Sequence, residues 1–124
     1  MDCTAFYKSV LEQDDAPVVL CDLEHRILYM NPAAIRRYET KGGASLVGTC
    51  LFDCHNPHSV ECIKRVVSWF AESKTHNRVY TFHNEKENKD VYMIALRDAD
   101  GTLIGYYEKH SYRNAETAQL YDMD

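Results

Sequence analysis

The sequence has no apolar run near the roughly 20 residues that a membrane-crossing helix needs, and its first residues, MDCTAFYKSV, lack the basic start and apolar stretch of a secretory signal. No membrane association is expected, and a cytoplasmic location is. A surplus of positive charge is also missing: 14 Lys and Arg stand against 19 Asp and Glu, a formal net charge of −5, with the basic residues scattered. That argues against nucleic acid as a partner, because phosphate binding needs clustered cations to displace counterions. Nor is there a disulfide pattern. Cys3, Cys21, Cys50, Cys54 and Cys62 are an odd number at irregular spacing, which suits reduced thiols in a reducing compartment. What remains is an ordinary globular mixture, 45% hydrophobic and 27% charged, in a 124-residue chain that suits one core and one domain.

Spacing divides the chain into a leading helix within residues 1–15, a domain over 16–112 and a tail over 113–124. In the first, Phe6, Val10 and Leu11 lie about a turn apart after a cap at Thr4. Pro17 to Asp22 and Arg26 to Met30 are β-branched and apolar around the short connection Leu23-Glu24-His25, which predicts a hairpin. Asn31-Pro32 supplies a helix cap with proline at the first helical position, and Gly42-Gly43 stops that helix. Short helical turns are expected over 44–56. From Pro57 to Ala71, Val60, Ile63, Val66, Val67 and Phe70 recur at helical intervals and predict the longest helix, with Ile63, Val67 and Phe70 inward. Extended segments at 78–83, 90–97 and 102–110, the last two joined through Asp100-Gly101, predict an antiparallel meander.

Three local motifs accompany this order: Asp22 to Ala34, a hairpin followed by an Asn-led helix; Leu46-Val47-Gly48; and Arg97 to Gly105. With them the order resembles the PAS family, whose opening hairpin and Asn-led helix the first motif matches. Asp53 to Ser59 looks like a variant segment of some bacterial PAS domains, in which a Cys-His pair precedes the proline of the long helix. The resemblance implies an α+β fold: a five-stranded antiparallel sheet, with helices packed on one face over a cavity. It further implies a non-catalytic sensory module that binds a small ligand there and signals through homodimer or partner contacts. The residues assigned to the ligand are Tyr38, Phe52, Cys54, His55, Ile63, Val67, Phe82 and Met93, although a domain this rich in aromatics also uses such residues as core.

The densest reactive side chains are Cys50, Cys54, His55, His58 and Cys62, and thiolate with imidazole is a ligand set for zinc and iron. A haem- or metal-bearing redox or gas sensor using Cys54, His55 and His58 is therefore an alternative. Against it stand the missing zinc-knuckle spacing and, for haem, histidines that come too early relative to the family's ligand in the long helix. The plainer reading makes Cys50 and Cys54 small buried residues and gives His55 and Ser59 to backbone groups at the helix start, with His55 at the cavity mouth. Flavin photochemistry is not expected, because Gly48 to Asp53 keeps a cysteine but lacks the asparagine, arginine and glutamine of the light-sensing motif. A cysteine nucleophile needs a positioned base and an oxyanion site, which the adjacency of Cys54 and His55 does not establish, so no enzyme activity is expected. A ligand-free interaction module is the third reading. No kinase, cyclase or DNA-binding segment is present, so output is expected through another chain unless this one is a fragment. Ala115, Glu116, Ala118, Gln119 and Leu120 favour a helical tail, but the family's D-I-T connection is absent.

Overall fold

Asn31 explains how the first third of the chain is assembled. In the computed structural model, which describes residues 1–122, this side chain is fully buried and lies between α1 (Thr4–Gln13), β1 (Val19–Asp22), β2 (Ile27–Met30) and α2 (Pro32–Arg37). Its Oδ1 accepts from the backbone N–H of Ala34 and of Val18, both at 2.9 Å, so one oxygen caps α2 and fixes the approach to β1. Its Nδ2 donates to the carbonyls of Leu11 at 2.9 Å and Ala16 at 3.0 Å, which ties α1 to the domain. The first strand begins two residues after the expected Pro17 because proline has no N–H and that of Val18 is taken by Asn31. Thr4 is not the cap of α1. It is the first helical residue, and the Asp2 carboxylate accepts from its N–H at 2.9 Å and its hydroxyl at 2.6 Å.

The helical layer continues as single 3-10 turns at Glu39–Lys41, Gly43–Leu46 and Leu51–Cys54, then as α3 (Pro57–Glu72). Asn56 caps α3, its side chain accepting from the Ser59 N–H at 2.8 Å. The apolar stripe of α3 meets the sheet: Phe70 is fully buried, and Ile63, Val66 and Val67 pack against a core of Cys21, Ile27, Met30, Ala34, Met93 and Tyr106. Arg97 closes the far end. Its guanidinium donates to the carbonyls of Phe70, Ser73 and His76 at 2.7 to 3.0 Å, satisfying acceptors that a helix C-terminus leaves open.

The meander consists of β3 (Arg78–Asn84), β4 (Lys89–Arg97) and β5 (Leu103–Tyr112), and the five strands form one antiparallel sheet in the order β2-β1-β5-β4-β3. The last strand starts at Leu103 rather than Thr102, whose N–H and C=O are taken by the Asp98 side chain and backbone in the turn. Closure of the sheet depends on Gly105, where β5 crosses β1. A Cβ there would overlap the Cys21 carbonyl oxygen. Residues 113–122 form no helix, despite their composition. Arg113 is instead held by its own backbone N–H to Asn88, at 2.9 Å, and by two guanidinium bonds to Asp90, at 2.7 and 2.8 Å. Met123 and Asp124, the rest of the predicted tail, lie outside the described residues.

Candidate functional site

Strand alternation and helical spacing together leave a cavity of about 290 Å³ between the sheet and the helical layer, open to solvent beside His55. Cys21, Ile27, Met30 and Met93 give it an apolar floor, and Leu46, Leu51 and Ile63 an apolar roof. One wall is polar. On β5, Tyr106, Glu108 and His110 share the inner face, paired across the ladder with Ala95, Met93 and Val91 of β4, and Tyr38 and Lys41 approach from the helical layer.

Tyr106 is buried, and its hydroxyl meets His25 Nδ1 at 2.8 Å. That histidine occupies a left-handed backbone position in the β1–β2 turn, φ 65°, and stacks on Phe52 with centroids 4.1 Å apart. Burial lowers the pKa of His25, helped by the Lys64 cation, so the neutral ring is favoured. Burial also raises the tyrosine well above its ordinary range and pushes the Cys21 thiol up to about 12. Neither is an anion at neutral pH. Tyr38 is raised by burial and by the Glu108 carboxylate.

A charged group flanks this wall. The Glu87 carboxylate takes a bidentate pair of bonds from Arg37, at 2.6 and 2.9 Å, which holds it down at about 2, and it lies 3.3 Å from the buried Lys89 ammonium. Burial and the Arg37 cation lower the Lys89 pKa, while Glu87 opposes that shift.

The structure brings together Tyr38, Cys54, His55, Ile63 and Met93 of the eight residues assigned from sequence. His55 is exposed at the rim, and its Nδ1 donates to the Leu51 carbonyl at 2.9 Å. The other three lie elsewhere. Phe52 stacks on His25, Val67 packs into the core one turn beyond Ile63, and Phe82 is half exposed on β3. Cys54 is exposed and Cys50 half-buried, so the expected burial of both fails; Cys21 is the buried thiol. Missed altogether were Lys41, Tyr106, Glu108 and His110. The signal was present, because positions 106, 108 and 110 alternate onto one face of a strand.

The alternative metal set does not converge. His58 Nε2 pairs with Cys62 Sγ at 3.7 Å on the exposed side of α3, while His55 is engaged with Leu51. Among the described residues no three His, Cys, Asp or Glu side chains meet in a metal-holding group. For haem, His55 is the histidine of that set that lines the cavity, and its Nδ1 is engaged with the Leu51 carbonyl.

Sheet order, helical layer and central cavity define a PAS-type α+β domain. The family model described as the PAS fold matches residues 11–109, and the chain belongs to that family, whose members are typically sensory and signalling modules. Among solved structures it is similar to a C-terminal domain from Streptococcus mutans, at 21% identity, TM-score 0.67, and coverage of 88% of this chain and 84% of that one. It is also similar to a PAS domain from Colwellia psychrerythraea, at 13% identity and TM-score 0.65, covering 90% and 97%. A third is the Aer2 receptor from Vibrio cholerae, described as a dual PAS-heme oxygen sensor, at 17% identity and TM-score 0.55, covering 79% and 94%. At these identities the likeness is one of fold. No curated protein matches the sequence.

Proposed function

We propose that this domain is a non-catalytic, cytoplasmic bacterial sensor, which takes a small, largely apolar ligand into the cavity under α3 and reports occupancy through homodimer or partner contacts. The observation that carries this reading is the cavity itself. Its walls come from β1, β2, β4, β5, the 3-10 turns and α3, so a ligand there touches nearly every element. Such a ligand would bias how the helical layer sits on the sheet, which is the differential contact a conformational signal needs.

The exposed face of α1 supports the dimer. Phe6, Tyr7 and Val10 are each about two-thirds exposed or more on a ten-residue helix, too short to be stable alone. Among the described residues no helix is long and apolar enough to cross a membrane, which is consistent with a module working in the aqueous phase.

The test is an amide NMR titration with indole, an apolar probe sized to the cavity. Saturable shifts concentrated at Met30, Ile63, Met93 and Glu108 are expected. Shifts spread over the exposed surface, or none at millimolar probe, would overturn the reading.

A further inference from the structure

His110 is the cavity-wall side chain whose hydrogen bonding is incomplete. Its side chain is 5% exposed, and its Nε2 lies 3.3 Å from Glu108 Oε1. A carboxylate accepts and cannot donate, so in the neutral ring its proximity favours the tautomer protonated on Nε2, which leaves the Nδ1 lone pair free. Nδ1 is buried and has no hydrogen-bond partner among the described residues. The Lys89 ammonium is likewise buried without a hydrogen-bond partner, but Lys89 is not among the residues lining the cavity. Lys89, one ladder step along from Val91 and His110, has its ammonium near Glu87 and over the Tyr112 ring, and the Tyr106 hydroxyl meets His25.

An unpaired buried acceptor is unfavourable, and a ligand that supplies its missing proton relieves much of that penalty. The adjoining floor of Met30, Ile27 and Met93 offers only apolar contact. At about 290 Å³, the volume admits a body of about two fused rings, judged against the ~150 Å³ that holds benzene. We infer that the cavity selects an apolar molecule of two-ring size carrying one N–H or O–H group, which donates to His110 Nδ1. This rests on the proposed ligand-binding function and adds the ligand's chemical class.

The experiment compares indole with benzofuran, which has nearly the same shape but replaces the N–H by an ether oxygen. Calorimetric titration of the full chain is expected to give indole about tenfold tighter binding, and the His110→Phe protein is expected to bind both alike. Because His110→Phe perturbs folding if the Glu108 contact is structural, a second readout uses the unaltered protein. The ¹⁵N spectrum of the His110 ring should show protonated Nε2 and bare Nδ1, with the Nδ1 resonance moving on addition of indole and not of benzofuran. Equal affinity for the two probes, or a ring that carries a proton on Nδ1, overturns the assignment of ligand class while leaving the cavity a binding site. Binding of neither probe overturns the ligand-binding reading, and this inference with it.

Discussion

Asn31 and Gly105 each hold a position that no other residue fills as well. Replacing Asn31 by Ala removes the α2 cap and strands the N–H of Val18 and the carbonyl of Ala16, so a loss of about 2–4 kcal/mol is expected from urea denaturation. Gly105→Ala places a methyl group against the Cys21 carbonyl, and backbone on both sides limits relief. A loss of about 1–3 kcal/mol is expected, or failure to fold. The thiols should separate in alkylation kinetics. Cys54 and Cys62 are exposed, whereas burial holds the Cys21 thiol protonated, with a pKa up to about 12, so iodoacetamide should label the first two and spare Cys21 until the protein unfolds. A Cys21 labelled as fast as Cys54 in native buffer would contradict the packing described for β1.

At the scale of elements, the Arg37–Glu87 pair joins α2 to the turn between β3 and β4, and it gives stability a predictable acid dependence. Arg37 depresses Glu87 on folding from 4.5 to about 2, so the folded state binds fewer protons between those values. The contribution is complete above about pH 4.5 and disappears as pH falls toward 2. Asp90, depressed chiefly by Arg113 and then Tyr80, adds to the same trend. Urea titrations across this range should therefore show a shallower fall for Glu87→Gln than for the parent; identical slopes would mean the pair is broken in solution. The elements were largely legible in the sequence because their signals are local: Asn-Pro caps and starts α2, and a 3.6-residue stripe marks α3. The site was less legible. Tyr106, Glu108 and His110 acquire meaning only when β5 pairs with both β1 and β4, a long-range fact, whereas the Cys54–His58 segment drew attention through sequence proximity that its fold does not convert into convergence. The tail shows the same limit, since helix formers after His110 lost to Arg113 anchoring on Asp90 and Asn88.

For the whole molecule, two surfaces matter: the exposed face of α1 and the cavity. Light scattering at micromolar concentration should give a homodimer, and the double change Phe6→Glu with Val10→Glu should give a monomer of unchanged fold. Substitution is a better test than removing residues 1–13, because Leu11 accepts from Asn31 and Glu12 from the Tyr29 hydroxyl. A parent protein that runs as a monomer would remove dimerisation from the proposed signalling route. The cavity carries the central claim, and filling it is the most direct test. Ile63 lines the roof without being fully buried, so a tryptophan there can occupy the space meant for a ligand. Indole should bind the parent at one saturable site by calorimetry. The Ile63→Trp protein, with its thermal midpoint within a few degrees of the parent, should show no binding heat, and equal heats in the two proteins would contradict the account.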